Sequence, residues 1–438
     1  MAIKNDKNRK KLAHEIVPEN IIECLNIEKN KSKAVSEAKE TNNYNSSITK
    51  ERQKKSDKKI KVVFIVYFPS SWNSLKSVFE YMQKNGNYSA YILAQPHITD
   101  GACSECENPS YSYLFDLYGE AVINAFCNNA WFDLKAFQPD YVFYTRPYNY
   151  EYYQDYLPSK VRAYAKCCWI SYAYFLENRF DHNFNFLCNY DFLQNLSFVF
   201  CCNHYDESIL KKRFSQKKQT DEYPVITYQG FPRFDLANHS DENREKPTVL
   251  WTPRWTSQVK KNNKQSSFLR FIDDFIAFAK NHREMDFIMR PHPLMFSHYK
   301  KEKLIPEDYD VQLKSMFSAL GNITLDENPD YLPSVFKSDI IISDYTSLLS
   351  EYLFFGKKII YTDTAKGFNY VGKAIVRACY CKKNWNEIIT VLEELLQGAD
   401  PKFELRKTVK EKYLMLDSSS SAAENIVLRI KNDWENVW

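Results

Sequence analysis

Four short segments carry side chains whose types and spacing suit the handling of a diphosphate. The first is Ser343-Asp344-Tyr345-Thr346-Ser347, where small hydroxyl residues sit between a buried run, Ser338 to Ile342, and a helical stretch. The first N–H groups of a helix are unpaired, and together with the helix dipole they favour a phosphate. The Thr346 and Ser347 hydroxyls can donate to it, and Asp344 is counted with them among the donor-binding residues. Glu351 lies one turn beyond Ser347 on the same helical face and can accept from ribose hydroxyls. The more ordinary reading is that Thr346 or Ser347 simply caps the helix while Glu351 is a surface charge.

The second segment is Arg290-Pro291-His292-Pro293, directly after the apolar run Asp286 to Met289. The two prolines fix the backbone around His292 and remove competing N–H donors. Arg290 and His292 are therefore expected at a strand end, facing the same crevice as the phosphate turn. In the third, Gly230-Phe231-Pro232-Arg233-Phe234-Asp235, Arg233 either contacts a phosphate across the crevice or pairs with Asp235 to lock a hinge. The fourth, Thr252-Pro253-Arg254-Trp255, places Arg254 at a crevice rim, as a substrate contact or a surface cation. No G-x-G-x-x-G or G-x-x-x-x-G-K-[ST] pattern occurs among the nine glycines, which counts against dinucleotide redox chemistry and P-loop hydrolysis.

These segments need a scaffold, and the hydrophobic pattern supplies one. From Lys61 short apolar runs alternate with amphipathic stretches: strands are predicted at Lys61–Tyr67, Tyr88–Ala94, Asp140–Thr145, Cys167–Ser171 and Phe198–Cys202. Helices are predicted from Ser70 through Lys84 and over Tyr118–Cys127. After a polar connector, His239 to Lys246, the series restarts with strands Thr248–Thr252, Met285–Arg290, Asp339–Ser343 and Lys358–Thr362 and helices Phe268–Lys280 and Ser347–Phe355. Alternation of this kind predicts parallel sheets covered on both faces. The fold class is thus α/β, with a first lobe at residues 60–240, a second at 247–417 and an amphipathic helix at 418–438 packing back on the first lobe. The 438-residue length suits two lobes rather than one core.

Residues 1–59 form a polar arm carrying 15 Lys or Arg against 9 Asp or Glu, while the whole chain carries +4, so the body is slightly acidic. Nucleic-acid binding by the body is not indicated. The arm reads as a solvated tail or, more sharply, as an electrostatic attachment to anionic lipid. No apolar run approaches the roughly 18 residues that cross a bilayer, and no apolar stretch of a secretory signal is visible, so a cytoplasmic location is expected, peripheral on the inner membrane if the arm binds lipid. Eleven cysteines, an odd number, read as reduced and mostly buried; Cys103-x-x-Cys106 has no well-placed second pair for a zinc site.

Taken in order, the four segments resemble the CDP-glycerol glycerophosphotransferase family, which builds teichoic-acid and capsule-like polyol phosphate chains. The resemblance runs from about Val225 to Tyr361. It implies a GT-B fold of two Rossmann-like lobes facing a cleft, with Arg290, His292, Thr346 and Ser347 on the donor phosphates, Glu351 near the ribose, and no metal. Arg233 and Arg254 join the donor side. Many family members carry a His-Gly pair in the acceptor lobe, whose histidine is a candidate base; here the corresponding stretch reads Trp169-Ile170-Ser171-Tyr172-Ala173-Tyr174. Glu177, Asp181 and His182 are the alternatives. The function implied is transfer of glycerol phosphate or ribitol phosphate from CDP-glycerol or CDP-ribitol to a glycan or lipid-linked glycan, releasing CMP, with no cofactor. A GT-B glycosyltransferase using a nucleotide sugar and a non-catalytic glycan-binding scaffold are the competing readings.

Overall fold

The computed structural model describes residues 58–98, 108–177, 189–217, 224–237, 245–256, 266–362, 367–416 and 419–437. Most of the N-terminal arm, the Cys103–Cys106 pair, Asp181 and His182 lie outside them.

Seven strands make the first sheet: β1 (Ile60–Val66), β2 (Tyr88–Ala94), β3 (Val122–Asn124), β4 (Tyr141–Tyr144), β5 (Lys166–Ile170), β6 (Phe198–Cys201) and β7 (Val225–Tyr228), in the spatial order β3-β2-β1-β4-β5-β6-β7. Every pairing is parallel. Six more make the second: β8 (Thr248–Thr252), β9 (Asp286–Met289), β10 (Ile323–Leu325), β11 (Ile340–Ser343), β12 (Lys358–Tyr361) and β13 (Tyr380–Cys381), ordered β10-β9-β8-β11-β12-β13 and again all parallel. Both sheets run outward from their first strand, return, and continue on its other side. Each therefore has a switch point, between β1 and β4 in one lobe and β8 and β11 in the other, where adjacent loops diverge and leave a crevice.

The strands are apolar on both faces because helices cover both. Val62 through Val66 are all fully buried, as are Ile341 and the neighbouring β11 side chains. The first lobe's two faces hold separate cores, one of which is completed by Ala423, Ile426, Val427 and Ile430 of the C-terminal helix, Ala422–Val437. Asp235 holds the start of that helix, accepting from the N–H groups of Ala422 (2.9 Å) and Ala423 (2.8 Å). Further along, Asp433 receives Tyr141 Oη at 2.5 Å and Lys166 Nζ at 2.7 Å. A core shared by Tyr174, Leu176, Phe231 and Phe234 with Tyr345, Leu349, Tyr352 and Val371 welds the lobes along one side.

Two helical expectations change. The Ser70–Lys84 stretch is a 3-10 turn, Pro69–Ser74, followed by a helix only from Lys76 to Lys84, the turn being held by Ser71 N–H and hydroxyl bonds to the Phe68 carbonyl. Tyr118–Cys127 is not a helix. The helix ends at Tyr118, Gly119 turns at a positive φ of 54°, and the β-branched Val122-Ile123 pair adds an edge strand beside Ile92–Leu93.

Candidate active site between the lobes

The C-terminal ends of β9, β8 and β11 are neighbours, so the segments that follow them share one edge of the second sheet. Asp344, first past β11, is fully buried and organises that edge. Its Oδ2 accepts from the N–H of Arg254 (2.7 Å) and of Ser267 (2.8 Å), and its Oδ1 from the Thr362 hydroxyl (2.6 Å). One carboxylate thus ties together the loop after β8, the start of helix Phe268–Asn281 and the end of β12. Burial pushes its pKa up, and the donated hydrogen bonds draw it back. Asp344 fixes loops; the crevice-facing groups are those it fixes.

Arg254 is one of them. Its Nη1 donates to the Tyr345 carbonyl at 3.0 Å, and the guanidinium lies 5.2 Å from the Tyr345 ring centroid. Thr346 and Ser347 are half-buried in the turn, and Thr346 Oγ1 accepts from the Leu348 N–H at 3.3 Å. That contact closes a local turn and does not cap the helix, whose N-cap residue Leu348 makes no side-chain cap bond. The helix beyond is shorter than the sequence suggests, Leu349–Phe354 rather than Ser347–Phe355.

Arg290 continues the ladder past β9, its N–H reaching the Trp251 carbonyl at 2.8 Å. Its guanidinium spans Asp326 Oδ2 (2.7 Å) and the Asn328 carbonyl (2.5 Å), and the Ser334 hydroxyl donates to the same Asp326 oxygen. The fork is held in place from behind. His292 is anchored by its N–H to the Pro253 carbonyl at 3.1 Å, and its Nδ1 accepts from the Leu294 N–H at 3.1 Å. In the neutral ring the proton therefore sits on Nε2. The ring has an exposed edge but is crowded on its other sides; that crowding, with the nearby Arg254 cation, holds its pKa below the ordinary imidazole value.

Glu177 reaches this region from the first lobe: the Tyr345 hydroxyl donates to its carboxylate, and Glu177 bridges Phe368 in the backbone. Asn369 clamps the same seam, its Nδ2 donating to the carbonyls of Phe175 (2.9 Å) and Glu177 (3.2 Å). Arg290, His292, Arg254, Glu177 and the Asp344–Ser347 turn thus share one seam.

Arg233 and Glu351 are placed differently from the expectation. Arg233 pairs with Glu351 at 3.0 Å, not with Asp235, which is occupied by the C-terminal helix. Glu351 is fully buried, with Oε1 taken by Arg233 and Oε2 by the Tyr331 hydroxyl, so the ribose-facing surface position expected of it is not the one observed. Burial pushes the Glu351 carboxyl up while the Arg233 cation draws it back. Arg233 Nε also donates to Ser74 Oγ at 2.8 Å, so this pair lies between lobes and hinge.

Asp326, Tyr331 and Thr362 were not singled out from the sequence, nor were His97, Arg146 and Glu151 in the first lobe. Their signal is position: His97, Arg146, Asp326 and Thr362 each fall within three residues past a strand. Among the described residues no group of three or more His, Cys, Asp or Glu is arranged to hold a metal ion, and no helix is long and apolar enough to cross a membrane. Cys167, Cys168, Cys201, Cys202 and Cys379 are buried free thiols, and Cys127 and Cys381 are exposed ones.

Two parallel-sheet α/β lobes, each with its own switch point and joined along a shared seam, give the chain a GT-B-type architecture. The chain belongs to the CDP-Glycerol:Poly(glycerophosphate) glycerophosphotransferase family, whose model matches residues 179–432, more than half of its length. The match extends the motif-based resemblance in both directions. Among solved structures, the wall teichoic acid polymerase TagF aligns at 14% identity over 92% of this chain and 98% of its own, with a TM-score of 0.55. A UDP-N-acetylglucosamine 2-epimerase aligns at 10% identity, covering 86% and 97%, with a TM-score of 0.55. The UDP-GlcNAc 2-epimerase from Neisseria meningitidis aligns at 14%, covering 85% and 100%, with a TM-score of 0.53. At these identities the likeness is one of fold. No curated protein matches the chain.

Proposed function

We propose that this enzyme transfers glycerol phosphate or ribitol phosphate from a CDP-alcohol to a hydroxyl of a glycan or lipid-linked glycan, releasing CMP, in the synthesis of a teichoic-acid-like or capsule polymer. The observation that carries the reading is the convergence of Arg290, His292 and Arg254 with the Asp344–Ser347 turn at the second lobe's switch point, in a chain of this family. Phosphoryl transfer asks a protein chiefly for positioning and charge stabilisation. Arg290, clamped by Asp326 and Asn328, and Arg254, clamped by Tyr345, are pre-aligned cations for a diphosphate. His292 presents an Nε2–H donor to the same charge. Such a cation set can offset the leaving phosphate without a metal, and turnover is expected to survive chelation.

The reading places the enzyme at a membrane's inner face, supported by the excess of basic residues in the arm. Incubation of the purified chain with CDP-glycerol or CDP-ribitol and a glycan panel should release CMP. Turnover of a UDP- or GDP-sugar with none of any CDP-alcohol would overturn the reading in favour of a glycosyltransferase. A melting temperature unmoved by CDP, CMP and UDP would favour a scaffold.

A further inference from the structure

The first lobe's switch point carries its own constellation. Phe68 lies just past β1, His97 past β2 and Arg146 past β4. Arg146 is held to Glu151 by two bonds, Nε to Oε2 and Nη2 to Oε1, both 2.6 Å. Its guanidinium sits 4.9 Å from the Phe68 ring centroid and 4.8 Å from that of Tyr172. The His97 ring packs edge-on against Phe68, centroids 4.3 Å apart, and beside Tyr67 at 4.6 Å, with Nδ1 3.4 Å from the Tyr67 hydroxyl oxygen. His97 is exposed while Tyr67 is buried. Two aromatic rings thus flank an exposed imidazole three residues past the end of β2.

We propose that His97 is the proton acceptor for the attacking hydroxyl, with Tyr67 as its positioning residue; this rests on the transfer reading above. The remaining described histidines are elsewhere. His204 lies beyond β6 and meets Glu207 at 3.0 Å, His282 meets Glu284 at 2.8 Å, His298 packs on Trp255 and His292 belongs to the donor side. The turn that follows Phe68 also touches the second lobe: Asn73 donates to Asp330 at 2.9 Å, two residues from the Asn328 carbonyl that receives Arg290. His97, past β2, thus lies at the same C-terminal edge of the first sheet as this turn past β1, the edge from which the turn reaches the second lobe.

The proposal requires the tautomer with its proton on Nδ1, in which that N–H donates to Tyr67 Oη and the Nε2 lone pair is left for the acceptor. Burial pushes the Tyr67 phenol up to about 12, so it stays a neutral partner. The covered part of the ring and the Arg146 cation hold His97 below the ordinary imidazole value. The charged and titratable groups around it are Arg146, its counter-ion Glu151, and the phenols of Tyr67 and Tyr150. In the step, the acceptor O–H proton moves to Nε2 and its oxygen attacks the distal phosphorus. The P–O bond to CMP breaks with its electron pair on CMP, and His97 then gives its proton to solvent.

The test uses the full chain with CDP-glycerol and an acceptor that the wild type uses. His97→Gln should lower kcat/KM by roughly 100-fold or more, leave CDP affinity within about twofold, and abolish the acidic limb of the pH–rate profile. Tyr67→Phe should keep that limb but move its midpoint. A His97→Gln enzyme with wild-type rate and pH profile, or one that has lost CDP binding, overturns the proposal. So does loss of the acidic limb in His182→Gln with His97→Gln unaffected. Absence of CDP-alcohol turnover by the wild type is the separate outcome that overturns the transfer reading itself.

Discussion

Arg233 Nη1 and Glu351 Oε1 lie 3.0 Å apart between the lobes, with the two side chains 5% and 0% exposed. The arginine comes from the hinge, the glutamate from the helix behind the phosphate turn, and Ser74 of the first lobe and Tyr331 of the second complete the set. Removing one partner strands the other charge in a buried site. Glu351→Ala should therefore cost about 3–5 kcal/mol, whereas Arg233→Met with Glu351→Leu should recover much of that. Chemical unfolding of both single variants and the double variant measures it. A double variant as unstable as the two single losses summed would show that the pair does not act as a unit.

Asp344 serves three loops through one carboxylate. Asp344→Ala leaves the N–H groups of Arg254 and Ser267 without their acceptor, at about 1–3 kcal/mol for a buried group. Because Arg254 is positioned through this carboxylate, CDP affinity should fall together with the melting temperature. Calorimetric titration with CDP on a still-folded variant checks it, an unchanged affinity being the contrary result.

His292 is held below the ordinary imidazole pKa in the unliganded protein. The folded state therefore binds fewer protons than the unfolded one as pH falls below that ordinary value, and the contribution present above it is progressively lost. A bound diphosphate reverses the sign by favouring the imidazolium. CDP should bind more tightly at pH 5.5 than at pH 7.5, with proton uptake visible as a buffer-dependent binding enthalpy. His292→Gln should abolish that uptake.

Gly372 packs against the first lobe so closely that an added Cβ would meet the Leu176 carbonyl oxygen at 2.4 Å. Backbone cannot yield there cheaply. Gly372→Ala should open the Asn369 clamp and displace Glu177 from Tyr345, lowering turnover more than it lowers CDP affinity. Steady-state rates beside CDP titration separate the two effects; equal losses would place the damage in the donor lobe.

By itself the sequence determined most of the strands of both sheets, because a strand covered on both faces must be apolar along its length, as Val62–Val66 and Ile340–Ile342 are. It also placed Arg290-Pro291-His292-Pro293 and Asp344–Ser347 directly after such strands, at one edge of the second sheet. Only the tertiary structure decided the partners. Asp344 could not be told from a phosphate ligand until Ser267 and Thr362, 77 and 18 residues away, were seen to donate to it. Glu351 read as a surface carboxylate because helical spacing reports which face a residue occupies, not what covers that face. Its cover is Arg233, 118 residues earlier, and packing over such a separation leaves no local pattern in the chain.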